Sequence, residues 1–286
     1  MSLLARALPV VVVGYFAVGC TASLATLTPA KTTPGGHVRI AAAAEANLPT
    51  GAVLDQLQSA NSRAKQLENG EMATQDDLKL FAGATVASVA TPLTATGDLQ
   101  LRVGLTDEFD IGIRYFGGTM HGDVRYQFLG DTAKDDTFHG SIGVGGGLFV
   151  FGADLPVPGQ YDGFITIKNN SQYQVDGSLL FGWSGTFGHL WFGPKVVFSG
   201  FDTDATIALD GLTPAILNVN GTNFYYGGQL GLAIGIAFFW VVAEVTVAGV
   251  TTSGDATPSA GPLTGTIDAS NSGLIIYPAG GLLLEF

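Results

Sequence analysis

Segments of about ten residues, in which apolar and polar side chains alternate, constrain the fold of this chain more than any other feature. In residues 99–105 the apolar side chains occupy every second position, and the same period returns in 109–115 and 121–128. A period of two places one set of side chains on each face of a β-strand. Repeated segments of this length, separated by turn residues, are typical of strands that cross a membrane as a barrel.

The alternation continues to the end of the sequence, in residues 139–151, 173–183, 190–201, 226–236, 241–250 and 274–286. These nine segments need a tenth strand if the barrel has an even number, and residues 80–90 are the available candidate. The pattern therefore predicts an all-β fold, a closed antiparallel transmembrane β-barrel over residues 78–286. We expect about ten strands, with eight or twelve as the alternatives. Pro194 and Pro278 fall inside predicted strands and indicate a bulge or a misplaced boundary.

Connection lengths predict which links lie on which side of the membrane. Outer loops of such barrels are long and periplasmic turns are short. Residues 152–172, 202–223 and 251–272 are long links rich in Thr, Gly, Asp and Asn, so we expect them to be solvated outer loops. No apolar run of about 18 residues follows the first twenty residues, so no membrane-spanning helix is expected there.

Residues 1–19 have the features of an export signal. Arg6 precedes an apolar stretch over 8–18, which is too short to span a membrane. The net charge of the whole chain is -12, with 24 acidic residues against 12 Lys and Arg. This balance excludes a nucleic-acid partner, which would require a basic surface.

The signal ends in Ala-Val-Gly-Cys at residues 17–20, which resembles the lipobox of bacterial lipoproteins. That resemblance implies lipidation (palmitate) of Cys20, with ordinary cleavage near Ala22 or Ala25 as the alternative. Thr21 in place of aspartate implies sorting to the outer membrane. Since Cys20 is the single cysteine, an intramolecular disulfide is excluded.

Two segments separate the signal from the predicted barrel. Residues 20–50 are rich in Thr, Ala, Pro and Gly without a sustained period, so we expect a lipidated flexible tether. Residues 51–70 have apolar side chains at three- and four-residue steps and Gly70 as a stop. They predict a short amphipathic helix on the periplasmic side, which packs against the barrel mouth or partly plugs it. A partner-binding role is the alternative.

The C-terminal strand alternates at Leu282, Leu284 and Phe286. An end in Phe resembles the assembly signal of bacterial outer-membrane β-barrel proteins, and residues 105–112 resemble hairpins common in that class. The resemblance implies the cell outer membrane as location, with the N-terminal lipid anchor on the periplasmic side. It implies the lipid bilayer and the barrel-assembly and lipoprotein-sorting machineries as partners. It does not determine the oligomeric state.

Polar side chains on the predicted inward face suggest what fills the lumen. Strand pairing places Asp110 between Arg102 and Arg125, and buried charges require partners. We expect a structural ion-pair network, with ligand binding as the alternative. The predicted lumen residues are Arg102, Asp110, Arg114, His121, Asp123, Arg125, Asp176, Lys195 and Glu244.

A barrel of this size is too narrow for a general porin. We therefore expect either a narrow conduit or binding barrel for small molecules, or a structural, surface-exposed barrel with a plugged lumen whose outer loops bind external partners. No enzyme is predicted, because His121 and Asp123 share a face but lack further catalytic residues. The glycine run at 143–147 continues a strand and precedes no helix, so it is not a phosphate loop. No cofactor or metal is expected.

Overall fold

A computed structural model describes residues 22–90, 95–132, 134, 136–150, 164–268 and 270–286. Residues 1–21, with the predicted signal and Cys20, lie outside this range. The helices of the described part are α1 (Ala52–Glu68) and α2 (Gln75–Ala90). Its strands are β1 (Val38–Ala46), β2 (Leu48–Pro49), β3 (Ala95–Gly104), β4 (Phe109–Phe116), β5 (Thr119–Leu129), β6 (Thr137–Phe149), β7 (Ile165–Ser184), β8 (Gly188–Ile207), β9 (Ala215–Ile236), β10 (Phe239–Ala260), β11 (Ile267–Asp268) and β12 (Asn271–Glu285).

Ten long strands form a closed antiparallel ring. From β3 to β10 each strand pairs with its neighbour in sequence, and β10 pairs with β12. The ring closes at β1, where Arg39 lies opposite Arg102 of β3 on one side and Glu285 of β12 on the other. The two-residue strands β2 and β11 pair only with the outer parts of β12 and β10. The predicted fold class and strand count are confirmed.

The first strand is not where the sequence pattern placed it. Residues 80–90 belong to helix α2, in which every side chain from 81 to 87 is buried. A helix buried on all sides has no polar face to reveal its period. The true first strand, β1, is mostly alanine on both faces, so its alternation is weak. Neither described helix is long and apolar enough to cross a membrane.

The two ends of the barrel differ in their connections. Val38 and Phe286 exchange backbone hydrogen bonds at one end, which we call the inner end. The links at this end are short, at residues 105–108, 130–136, 185–187 and 237–238. The opposite, outer end has the longest strand extensions and the link between β1 and β3. Short turns are typical of the periplasmic side of such barrels, so we expect the inner end to face the periplasm.

Helix α1 confirms the helix predicted for 51–70, but its predicted periplasmic position is wrong. Strand β1 runs from the inner to the outer end, and α1 and α2 follow it. Both helices therefore lie at the outer end, where α2 contacts β8, β9 and β10. The predicted position was wrong because the prediction did not include β1, the strand that carries the chain from the inner to the outer end before α1 begins.

Strands β7 to β10 are 20 to 22 residues long, about twice the length of β3 or β4. Most of the described residues of the predicted long loops are thus continued strands, and residues 152–163 of the first predicted loop lie outside the described range. In the outer part of β7, Thr166 and Lys168 face outward while Ile165 and Ile167 are buried inside. Closer to the inner end the same strand exposes Val175 outward. The outward face changes from polar to apolar along one strand.

This change of polarity marks a change of the surrounding solvent from water to lipid. Aromatic rings lie at both limits of the apolar band, with Tyr173 and Phe198 6.2 Å apart on the outer side and Phe138 and Trp183 5.2 Å apart on the inner side. The strand from residue 173 to 183 spans about 33 Å, or about 25 Å along the membrane normal at a tilt of about 40°. That height equals the apolar band of membrane barrels.

Both prolines fall where the pairing with one neighbouring strand is interrupted. The β7–β8 register jumps from Ser178–Lys195 to Phe181–Phe192, so Pro194 has no partner on β7, although it lies opposite Gly228 of β9. Pro278 lies just past Ala279, where the pairing of β12 with β1 stops. At these positions the missing N–H breaks no ladder hydrogen bond on the interrupted side.

A lysine on the outward face tests the band directly. Val144 is 57% exposed near the middle of the band, and Val144→Lys should lower the free energy of unfolding in lipid vesicles by about 2–4 kcal/mol. Ser253→Lys is the matched control, because Ser253 faces outward in the water-exposed part of β10 and should change stability little. Denaturant unfolding of both variants in vesicles provides the comparison. Equal effects of the two substitutions would contradict the assigned boundary.

Candidate functional site

The chain before β1 lies inside the barrel. Between residues 22 and 33 every residue is buried, apart from half-buried Thr26 and Lys31. We call residues 22–37 the plug. The flexible tether predicted for 20–50 is therefore wrong. The polar, aperiodic composition of this segment reflects contacts with a polar lumen instead of contact with solvent.

Side chains of the barrel wall accept hydrogen bonds from the plug backbone. Glu244 accepts from the amides of Thr26 at 2.6 Å and Leu27 at 2.9 Å. Near the inner end, Asp110 accepts from the amide of Thr33 at 2.8 Å. An irregular segment cannot form a strand ladder, so its buried amides need side-chain acceptors. Carboxylates of the wall supply them.

Cations of the wall bind the plug carbonyls in the same way. The Lys195 ammonium donates to the carbonyl of Ala25 at 2.7 Å, and Arg114 donates to the same oxygen at 2.9 Å. Arg125 donates to the carbonyl of Pro29 at 2.8 Å. Acidic and basic side chains of the lumen thus bind different groups of the plug backbone. The acids accept from its amides, and the bases donate to its carbonyls.

Ion pairs join the wall side chains to one another. Asp110 lies between Arg102 and Arg125, at 2.6 Å from each. Arg102 also contacts Asp123 at 2.5 Å. Four of the predicted lumen residues therefore form one cluster on β3, β4 and β5. Removing one member of such a buried group leaves an uncompensated charge, which costs about 3–5 kcal/mol.

The remaining predicted residues take other partners. His121 Nε2 lies 3.0 Å from Asp176, and does not pair with Asp123. Arg114 contacts Asp98 and lies 3.7 Å from Glu45. Glu45 also accepts from the hydroxyl of Ser23 in the plug at 2.8 Å.

The sequence reasoning missed Glu45 and Asp98. Glu45 is on the unrecognised strand β1, whereas Asp98 precedes the predicted start of its strand by one residue. Extending the alternation backward from Arg102 through Gln100 reaches Asp98, so that signal was present. Three uncharged side chains also bind the plug, those of Gln127, Gln174 and Gln229. The sequence pattern did not single them out, because the prediction of lumen contacts rested on charged residues.

An apolar wall covers the other side of the plug. Leu24 and Leu27 are buried in a cluster with Trp191, Tyr277 and Leu283 of the barrel. The cluster is contributed mainly by β8, β9, β10 and β12, whereas the ion pairs lie mainly on β3, β4 and β5. The plug is thus held by hydrogen bonds from strands all round the wall, with Glu244, Lys195 and Gln229 on β8 to β10 among them, and by apolar contact on the side of β8, β9, β10 and β12.

The helices fill the outer part of the lumen. Phe81 and Val86 of α2 belong to an apolar cluster with Ile167 and Leu217 of the strand extensions. Arg63 joins the two helices through two parallel hydrogen bonds to Asp77, at 2.6 and 2.9 Å. This double contact holds the pKa of Asp77 at about 2, below its usual 3.8.

Little space remains beside the ion-pair cluster. The cavity lined by Arg102, Arg114 and Asp176 has a volume of about 30 Å³, the share of one water molecule. Within the described residues no three His, Cys, Asp or Glu side chains are placed to hold a metal ion. Phe286, the predicted assembly signal, lies at the inner end, where its amide donates to the carbonyl of Val38 at 2.9 Å.

Comparison with known proteins identifies no family for this chain. No family model matches the chain, and neither does any curated protein. Among solved structures, Ail, the attachment invasion locus protein of Yersinia pestis, is 9% identical, with a TM-score of 0.22 over 87% of this chain and 99% of that chain. The RagAB peptide importer is 10% identical, with a TM-score of 0.28 over 88% of this chain and 40% of that chain. The assignment of the fold therefore rests on the strand pairing and the surface of the chain itself.

Glu244 is the wall residue whose substitution should loosen the plug most. Its carboxylate accepts from two plug amides and from the Trp191 indole at 2.8 Å. Glu244→Ala leaves these buried donors unsatisfied, at a cost of about 2 kcal/mol or more. Hydrogen exchange of the Thr26 and Leu27 amides should become at least about thirtyfold faster. Exposed Glu108→Ala is the control, and unchanged exchange in Glu244→Ala would refute the contact.

The Arg63–Asp77 pair makes the helices sensitive to acid. Because the folded pKa of Asp77 lies below the unfolded value, the pair stabilises fully above pH 3.8 and is lost as pH falls through about 2. Pepsin cleavage within residues 47–94 should be slower in the wild type than in Asp77→Asn at pH 4, and nearly equal in both at pH 1, below the folded pKa. A constant ratio of cleavage rates across this range would contradict the assignment.

Proposed function

We propose that this chain is an outer-membrane β-barrel lipoprotein with a closed lumen, whose water-exposed outer part meets partners outside the cell. The observation that carries the proposal is the plug, bonded to wall side chains from Ser23 near the outer end to Thr33 near the inner end. The proposal includes no enzymatic activity.

The filled lumen argues against a resting conduit. The plug occupies the part of the barrel within the apolar band, and α1 and α2 fill the part beyond it. A solute would have to displace Leu24 and Leu27 from the apolar cluster and break the hydrogen bonds to Glu244. Both losses oppose passage.

The outer extension is suited to interaction. Its outward face is polar, with Lys168, Asp202 and Asn218 exposed or half-exposed. Its inner face packs against α2 like the core of a water-soluble protein. A polar surface on a packed, rigid support presents side chains at fixed positions, as binding surfaces generally require.

The proposal retains an export signal and acylation of Cys20, although it no longer supports a periplasmic position for the lipid. Ala22, two residues later, lies in the lumen beside Thr119 and Gln174, toward the outer end. Mass spectrometry of the mature N-terminus tests acylation, and an unmodified N-terminus at Ala22 or later would contradict it.

A conduit that opens when the plug leaves is the second candidate, favoured by the many hydrogen bonds that hold the plug, because water can replace such bonds. Single-channel recording separates the two. The wild type should give no steady conductance in planar bilayers, whereas deletion of residues 22–33 should give a small one. Heat-modifiable gel mobility confirms that the deletion variant forms a barrel. Steady conductance of the wild type would overturn the closed state.

Two lysines test which end faces outward. Lys79 on α2 and Lys134 in an inner turn are similarly exposed, at 63% and 69% of their side chains. An impermeant amine reagent on intact cells should modify Lys79 and spare Lys134, whereas both should react in broken membranes. Modification of Lys134 alone on intact cells would show that the inner end, and not the outer end, faces the outside of the cell.

A further inference from the structure

A second cavity lies at the inner end of the barrel, away from the ion-pair cluster. Its volume is about 370 Å³, within the range of small-molecule sites. Thr33 and Pro34 of the plug line one side of the cavity, and His189 of β8 and Trp240 of β10 line the other. The cavity therefore lies between the plug and the barrel wall.

Polar atoms without a hydrogen bond occur on both sides of this cavity. Trp240 is 4% exposed and His189 is 5% exposed, and within the described residues neither the indole Nε1 nor either imidazole nitrogen has a hydrogen bond. The hydroxyl of Thr33 on the plug side has none there either. The two rings lie together, with centroids 4.3 Å apart. Trp191 differs, because its Nε1 donates to Glu244.

The types of these atoms indicate what kind of ligand would satisfy them. Buried polar groups in proteins nearly always find a partner. An indole only donates, a neutral imidazole donates at one nitrogen and accepts at the other, and a hydroxyl does both. An ionised carboxylate or phosphate only accepts, so it would leave the accepting nitrogen of His189 without a partner. Hydroxyl groups donate and accept at one atom, and they match the whole set.

The charged side chains of the cavity wall have partners within the protein. Arg39 Nε lies 2.5 Å from the Glu285 carboxylate, and both residues line the cavity. Lys31, which also lines it, is not without a partner either. A neutral ligand can therefore enter without separating a charge from its partner.

We propose that this cavity binds a neutral monosaccharide, whose hydroxyl groups pair with Trp240, His189 and Thr33 and whose C–H groups pack against the indole ring. A sugar ring carries adjacent hydroxyls around an apolar frame, and the cavity wall combines polar atoms with aromatic surface in the same way. Because Thr33 belongs to the plug, the ligand binds while the plug is in place. The site lies at the opposite end from the surface proposed to meet outside partners.

Indole resonances of the chain labelled with ¹⁵N-tryptophan test the site in lipid nanodiscs. The sequence has three tryptophans. Trp191 reports on the lumen beside Glu244, and Trp183, which is 56% exposed, reports nonspecific effects of added solute. Titration with glucose, galactose and N-acetylglucosamine should shift the Trp240 indole peak to a plateau for at least one of these sugars. The other two peaks should stay in place.

Two substitutions remove hydrogen-bonding atoms of the site and keep the Trp240 reporter. Thr33→Val and His189→Phe should each weaken sugar binding by about tenfold, the effect of one lost hydrogen bond. Thr85→Val is the matched control, because Thr85 is buried in α2 at the outer end, where its hydroxyl donates to the carbonyl of Phe81. It should leave binding unchanged. Unchanged Trp183 and Trp191 peaks show that each variant is folded.

Four results would overturn the sugar site. The first is that none of the three sugars shifts the Trp240 peak to a plateau. The second and third are shifts of the same size with glycerol at equal hydroxyl concentration, or with succinate, which would indicate a solvent effect or an anion site. The fourth is wild-type binding by both Thr33→Val and His189→Phe. None of these outcomes depends on whether the barrel conducts or whether its outer part binds partners.

Discussion

The polar lumen needs hydrogen-bond and charge partners, and the rest of the structure depends on how it obtains them. Within the membrane the barrel carries carboxylates and cations on its inner face, and Asp110 has no exposed surface. Water fills this role in wide barrels, whereas a ten-stranded ring leaves little room for it. Here the chain supplies the partners itself, through the backbone of residues 22–37. The plug therefore completes the barrel instead of obstructing it.

The same chain meets two solvents on its outer face. Lipid surrounds the apolar band between the aromatic rings, and the interior there is polar. Beyond Tyr173 and Phe198 most outward residues of β7 to β10 are polar, and the interior is apolar around Phe81 and Val86. In each part the outward face matches the surrounding solvent and the interior has the opposite polarity. The same strands therefore form a barrel with a polar interior in the membrane and a core with an apolar interior in water. This division explains why the strands are long and why the helices lie outside the membrane.

Strands that alternate strongly were predictable from the sequence, and elements without a period were not. The hairpins from Leu99 to Phe128 place apolar and charged residues on opposite faces, which determined both the strands and the position of Asp110 between two arginines. Strand β1 was missed because alanine occupies both of its faces, and α2 was missed because its residues 81–87 are buried on all sides. The plug has neither period nor regular structure. Its role depends on contacts with residues far away in the sequence, such as the bond from Thr246 to the carbonyl of Leu24, 222 positions apart, which no local pattern contains.

A short cross-link between the plug and the wall tests the central claim most directly. The hydroxyl of Thr26 lies 2.6 Å from the side-chain oxygen of Gln229 on β9, across the middle of the lumen. Because a cysteine is shorter than the glutamine it replaces, cysteines at these two positions should be joined in outer membranes by a short bifunctional thiol reagent, in a chain exported with an ordinary signal and alanine at residue 20. Mass spectrometry of the digested protein measures the joined fraction. Predominant linkage of the two positions is the predicted result, and thiols that each react without being joined, in a folded, heat-modifiable barrel, would contradict a lumen closed by residues 22–37.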